Sequence, residues 1–248
     1  MSIIYFQKRP FPGIALLLAF SSLYLTACHF SGDSVKGNGH VVTEDRNVPG
    51  FEGVRSSGSS DLYVSEGAQS LKIEAEENLL PYIETEVRDG ILRIGVRDNT
   101  WMRTTKDVKI YISAPTFKVI RSSGSGDIIG QSRISNPDRI EVGVAGSADI
   151  NLEVDAPELE SEIAGSGNVD LKGVTRNLKA KISGSGNIRA GELQTENTEI
   201  RIAGSGDATV FASVKLDVRI TGSGSVKHKG GAQVNTHVTG SGSVTKLD

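Results

Sequence analysis

Asp61, Asp127, Asp149, Asn168, Asn187 and Asp207 form one series, continued by Ser225 and Ser243. Each stands three residues after the Gly of a Gly-Ser pair. Recurring carboxylates can bind Ca2+ or divide acid and base roles between them. Calcium needs about six to eight oxygens, and the Gly-Gly-x-Gly-x-Asp spacing of calcium-binding β-rolls is absent. Stacking of Asp127 on Asp149 would bring two carboxylates to about 5 Å, close to the spacing in a retaining glycosidase. Corner chemistry accounts for the same residues more simply. Asp and Asn bond to nearby backbone and accept tight turns, and stacked amides add ladder bonds. No catalytic residue, metal or cofactor is therefore expected.

The other reactive side chains are scattered. Ser follows the turn Gly eight times with no His and Asp spaced to activate it. The Gly-Ser-Gly runs lack the Lys and helix start of a phosphate loop. His40, His228 and His237 are isolated and read as solvent-facing. Glu76-Glu77 and Glu158, Glu160 and Glu162 read as solvated faces.

Cys28 is the only cysteine, so it cannot close an internal disulfide. Lys8-Arg9 and the largely apolar run Ile14 to Ala27 precede it, the layout of a secretory signal over residues 1–27. Leu25-Thr26-Ala27-Cys28 resembles the bacterial lipobox, in which the cysteine is lipidated and becomes the new N-terminus. That implies a membrane tether without a span. His29 stands where Asp would signal inner-membrane retention, so the resemblance implies the outer membrane. Residues 28–48 are polar and hold Gly32, Gly37 and Gly39, which predicts a flexible tether.

The elements that would position these residues repeat. The turn glycines are Gly58, Gly124, Gly146, Gly165, Gly184, Gly204, Gly222 and Gly240. From Gly124 onward the steps are 22, 19, 19, 20, 18 and 18 residues. Two before the Gly stand Val144, Ile163, Ile182, Ile202, Ile220 and Val238, and four after it Ile128, Ile150, Val169, Ile188, Ala208, Val226 and Val244. This is period-two alternation on both sides of a corner. A coil of 18–22 residues cannot bury its apolar face alone. Stacking at about 4.8 Å closes the hydrogen bonds and lines up a core. The fold expected is all-β: a parallel β-helix, a right-handed solenoid. In such a stack Lys179 lies between Glu160 and Glu199, and Lys181 beside Glu162.

Regular coils are expected over 117–248. Residues 49–116 read as an irregular N-terminal β region capping the same continuous domain, 49–248. The 66 residues from Gly58 to Gly124 correspond to about three coils. Asp89-Gly90 marks a hairpin. Asp98 to Asp107 reads as a polar loop, and its Trp101, Met102 and Arg103 are the candidate ligand contacts.

With 5% aromatics and 29 glycines the composition suits a thin solenoid. Beyond residue 27 the chain carries net charge −5 and no basic cluster, which excludes nucleic acid as a partner. Val54-Arg55-Ser56-Ser57-Gly58-Ser59-Ser60-Asp61-Leu62, Asp89-Gly90-Ile91-Leu92 and the repeated Gly-Ser-Gly-Asp/Asn turns resemble a bacterial family, "putative auto-transporter adhesin, head GIN domain", over roughly 49–245. The resemblance implies a β-helix on an exported lipoprotein. Two functions follow for comparison. One is a non-catalytic envelope lipoprotein that binds polysaccharide or another surface macromolecule. The alternative is a carbohydrate-active lyase or hydrolase built on a β-helix.

Overall fold

The computed structural model describes residues 33–247. The predicted signal peptide and Cys28 lie outside the described residues. The chain begins with β1 (Asp33–Lys36) and β2 (Val41–Asp45), then β3 (Gly53–Gly58) and β4 (Asp61–Glu66) around the first Gly-Ser corner. An irregular stretch follows: β5 (Ser70–Glu76), a 3-10 turn at Leu80–Tyr82, β6 (Ile83–Arg88), β7 (Ile91–Val96), β8 (Thr100–Arg103) and β9 (Lys109–Ala114). Regular coils then run through β10 (Val119–Gly124), β11 (Ile128–Ser135), β12 (Arg139–Gly146), β13 (Asp149–Gly165), β14 (Asn168–Gly184) and β15 (Asn187–Gly204). The described chain closes with β16 (Asp207–Phe211), β17 (Lys215–Gly222), β18 (Ser225–Lys229), β19 (Gln233–Gly240) and β20 (Ser243–Lys246).

These strands make a β-solenoid of about seven turns. The corners stack in register: Gly146 on Gly165, Gly165 on Gly184, Gly184 on Gly204, Gly204 on Gly222 and Gly222 on Gly240. At each corner the Ser N–H donates to the Gly carbonyl of the previous coil, as Ser185 does to Gly165 at 2.9 Å. Inward columns fill the interior. Ile163, Ile182, Ile202 and Ile220 stack as one row, and Ile150, Val169, Ile188, Ala208 and Val226 as another, all buried. Each such Ile stabilises by roughly 1.5–3 kcal/mol relative to exposure.

The outward columns also match the expected register. Lys179 pairs between Glu160 and Glu199, and Lys181 opposite Glu162. Lys181 Nζ lies 3.0 Å from the Glu162 carboxylate, and Arg121 bridges Glu141 at 3.4 Å and Glu162 at 3.5 Å. These pairs are part-exposed and worth about 0–1 kcal/mol each. Together they oppose a slipped register.

Two expectations are corrected at the N-terminal end. Gly58 stacks directly under Gly124, with β3 on β10 and β4 on β11. Residues 67–118, between β4 and β10, therefore form an insertion in the first coil rather than coils that follow it in order. The insertion folds back onto the other side of the first coil, placing β7 beside β3 and β9 beside β4 in parallel. It ends in antiparallel pairs: β6 with β7, β5 with β9, and β2 with β5. The Asp89-Gly90 hairpin forms as read, with φ 53° and 71°. The second correction concerns residues 33–48, read as part of a flexible tether. They fold, with β2 in the cap and β1 paired in parallel with β8.

Candidate functional site

The Asp/Asn column is a ladder between coils. Asp127 N–H donates to Asp61 Oδ1 at 3.0 Å, and Asp149 N–H to Asp127 Oδ1 at 2.9 Å. Asn168 donates to Asp149 Oδ1 through its backbone at 3.0 Å and its amide at 2.7 Å. Asn187 Nδ2 continues to Asn168 Oδ1 at 2.8 Å, Asp207 N–H to Asn187 Oδ1 at 3.2 Å, and Ser225 N–H to Asp207 Oδ1 at 2.7 Å. The physical cause is the corner. Backbone pairing is long there, as from Asn168 N–H to the Ala148 carbonyl at 3.2 Å, and the Asp149 side chain below adds a nearer acceptor. Asp127 and Asp149 are thus brought together as rungs, each already spending one oxygen on backbone. Among the described residues no group of three or more His, Cys, Asp or Glu is arranged to hold a metal ion.

The second arrangement is a ribbon at the capped end. Ser34 pairs with Trp101, Val35 with Met102 and Lys36 with Arg103. The expected loop at Asp98 to Asp107 is in part a strand, and alternation divides the three candidate contacts. Trp101 is 66% exposed and Arg103 points outward, whereas Met102 packs against the core.

Glu76 holds this ribbon in place. It was expected on a solvated face, and it is fully buried. Its carboxylate accepts from Thr105 Oγ1 at 2.7 Å, Thr105 N–H at 2.8 Å, Gly39 N–H at 2.6 Å and Lys106 N–H at 3.4 Å. The Thr105 hydroxyl and backbone lead in holding its pKa at about 2, with Gly39 and Lys106 adding to them and burial opposing. Asn78 adds two bonds, from Asn38 N–H at 3.0 Å and to the Lys36 carbonyl at 2.8 Å. A Cβ at Gly37 would meet the Glu76 carboxylate at 2.0 Å, so only Gly fits there. The residues this clamp uses lie far apart in sequence. The glycines of the supposed tether were its one sequence signal.

The sides of the solenoid carry shallow open grooves. One, of about 460 Å3, runs over Glu160, Asn177, Lys179, Asn197 and Glu199. Its floor includes an amide rung, Asn197 Nδ2 to Asn177 Oδ1 at 3.0 Å. Polar groups of both signs alternate along it, and no aromatic lines it. His228, expected in solvent, is instead buried at 6% exposure under the last coils. Burial, followed by the charge of Lys246, pushes its pKa below 6.5.

The model of the family described as "Putative auto-transporter adhesin, head GIN domain" matches residues 50–232. No curated protein matches the chain. A crystal structure from Parabacteroides distasonis, titled a "putative lipid binding protein", is 29% identical with a TM-score of 0.76, covering 87% of this chain and all of that one. A "putative adhesin" from Bacteroides fragilis is 24% identical with a TM-score of 0.80, covering 86% of this chain and all of that one. Another from Parabacteroides merdae is 22% identical with a TM-score of 0.67, covering 88% and 100%. The last two likenesses concern the fold.

Proposed function

The chain belongs to the family described as "Putative auto-transporter adhesin, head GIN domain", and from that premise we propose a non-catalytic lipoprotein of the cell envelope. Cys28 carries the lipid and holds the protein at the outer membrane. The solenoid projects as a rigid rod whose polar grooves bind polysaccharide or another envelope macromolecule. The adhesin description of the family and of its solved relatives supports a binding role. The observation that carries the non-catalytic reading is the corner ladder. Each of its four acids gives one oxygen to the backbone N–H of the next rung, and Asn already fills the same place at Asn168 and Asn187.

The test has two arms. Cells expressing wild type and Cys28→Ser are fractionated: lipid mass on Cys28 and loss of the variant from the membrane are expected, and an unmodified wild type sinks the anchor. Envelope oligosaccharides are then offered to wild type and to the Asp127→Asn, Asp149→Asn double variant. Binding without release of reducing ends is expected for both. Cleavage by wild type, abolished in a double variant that melts normally, would establish the enzyme instead.

A further inference from the structure

A single exposed apolar residue is ordinary on a protein surface. Trp101 is set apart by three further observations. It is the most exposed large hydrophobic residue among the described residues, ahead of Val214 and Val174. It stands on a ribbon fixed by the buried Glu76 carboxylate and by Asn78, so its exposure is not that of a loose loop. The register gives the ribbon one outward face, Ser34 and Lys36 beside Trp101 and Arg103, with Val35 and Met102 turned the other way. Lys36 and Arg103 have no carboxylate within ion-pair distance among the described residues.

The chain itself supplies the occupant. Asp33 opens the ribbon five residues after Cys28, a reach of at most about 18 Å when extended. A lipid on Cys28 would keep the ribbon within that distance of the bilayer. Trp favours the membrane–water interface, where its ring is buried and its N–H stays hydrated, and Lys and Arg beside it meet lipid phosphates.

We propose that the outward face of the β1–β8 ribbon seats on the phospholipid surface, Trp101 entering the headgroup layer with Lys36 and Arg103 against lipid phosphates. The proposal rests on the lipid anchor inferred above. Its consequence is orientation: the capped end meets the membrane and the regular coils point away from it. Asp98 and Asp107 flank the strand in sequence, so the seat depends more on Trp101 than on net charge, and salt should weaken it only in part.

Trp101 is the only Trp, so intrinsic fluorescence reports this site alone. The processed protein is reconstituted into phosphatidylethanolamine–phosphatidylglycerol vesicles whose acyl chains are brominated near the headgroup, and the mass at Cys28 is measured on the same sample. Expected are a blue-shifted emission, strong quenching by the brominated lipid and loss of access to aqueous acrylamide. Lys36→Gln with Arg103→Gln should reduce the quenching without abolishing it. A lipidated, vesicle-bound protein with Trp101 unquenched and open to acrylamide overturns the seat and leaves the anchor standing. An unmodified Cys28 defeats the anchor instead. In that case the lone thiol is coupled to a maleimide-bearing lipid in the same vesicles, and bromine quenching decides the seat: its presence supports the proposal and its absence overturns it. Protection of Trp101 by soluble envelope polysaccharide, with none from lipid, likewise overturns it in favour of a glycan contact.

Discussion

Glu76 shows how a residue's role can hide from local sequence. Leu71, Ile73 and Ala75 alternate inward along β5, and a Glu beside another Glu would be placed in water. Its burial is tolerated because donors from residues 39, 105 and 106 converge on the carboxylate, which favours the charged form. Those donors lie at least 29 residues away in the chain, so no local pattern announces them. The depressed pKa has a definite consequence for pH. The clamp's contribution is fully present above the ordinary value of 4.5 and is lost as pH falls through about 2, because the unfolded chain binds the proton more readily. We expect Trp101 to gain mobility over that window, seen as falling fluorescence anisotropy before the solenoid's circular dichroism changes. Glu76→Gln replaces an acceptor oxygen by an NH2 among donors. It should show low anisotropy already at neutral pH and lose most of the acid response. An acid response unchanged in the variant would mean that another group holds the ribbon. His228 is a second hidden residue: it sits at an inward position, in register with Val210 and Lys246, and its neighbours Lys227 and Lys229 made the segment look solvated.

At the scale of elements, legibility follows the range of the contacts. In the regular coils every strand pairs with the strand one period away, so the repeat states local conformation and pairing partner together. Ile182, Ile188 and the Gly184 corner fall where the alternation puts them. The ribbon and cap have no such regularity. β1 pairs with a strand 67 residues away and β2 runs antiparallel to β5, so neither could be read from spacing. The corner makes a sharp prediction. Gly184 has φ +131°, and a Cβ there would stand 2.3 Å from the Gly165 carbonyl oxygen of the coil below. That atom is backbone and already accepts the Ser185 N–H, so it cannot move aside cheaply. Gly184→Val should therefore cost at least ~2 kcal/mol from strain and overpacking. Lys181→Ala, three residues earlier on the wet face, should cost about 0–1 kcal/mol, the worth of its pair with Glu162. Urea unfolding of the two variants provides the measurement. Comparable midpoint losses would show that the corner tolerates a side chain and that its register is misassigned.

For the whole molecule, a solenoid is a one-dimensional stack in which each coil touches only its neighbours. Its stability should thus be close to a sum over coils, and a whole coil should be removable. Asp149 pairs with Asn168 and Asn168 with Asn187, so the segment 168–186 is one complete step of 19 residues. Deleting it joins Gly167 to Asn187 and lays β15 directly on β13. Asn187 then meets the Asp149 rung, Ile188 meets Ile150, and Gly204 meets Gly165. The register shift that β14 shows against β15 after Asp170 moves to β13 unchanged, because β13 and β14 stack without a shift. Two electrostatic contacts worsen. Lys172 leaves, and Glu153, which keeps its pair with Arg133, faces Glu192. Lys179 leaves, and Glu160 faces Glu199. Arg139 already pairs with Glu160 and offsets part of that repulsion, and Glu199→Lys would remove it. The shortened protein should fold cooperatively, with a denaturant slope lower by roughly one eleventh, since slope scales with the surface exposed on unfolding and 168–186 is that share of residues 33–247. The control removes residues 168–177, about half a coil, which puts Lys179 and Lys181 at the inward places of Val169 and Leu171 and should abolish folding. If the two deletions behave alike, either both folding or both failing, then coils are not the independent units that this register implies.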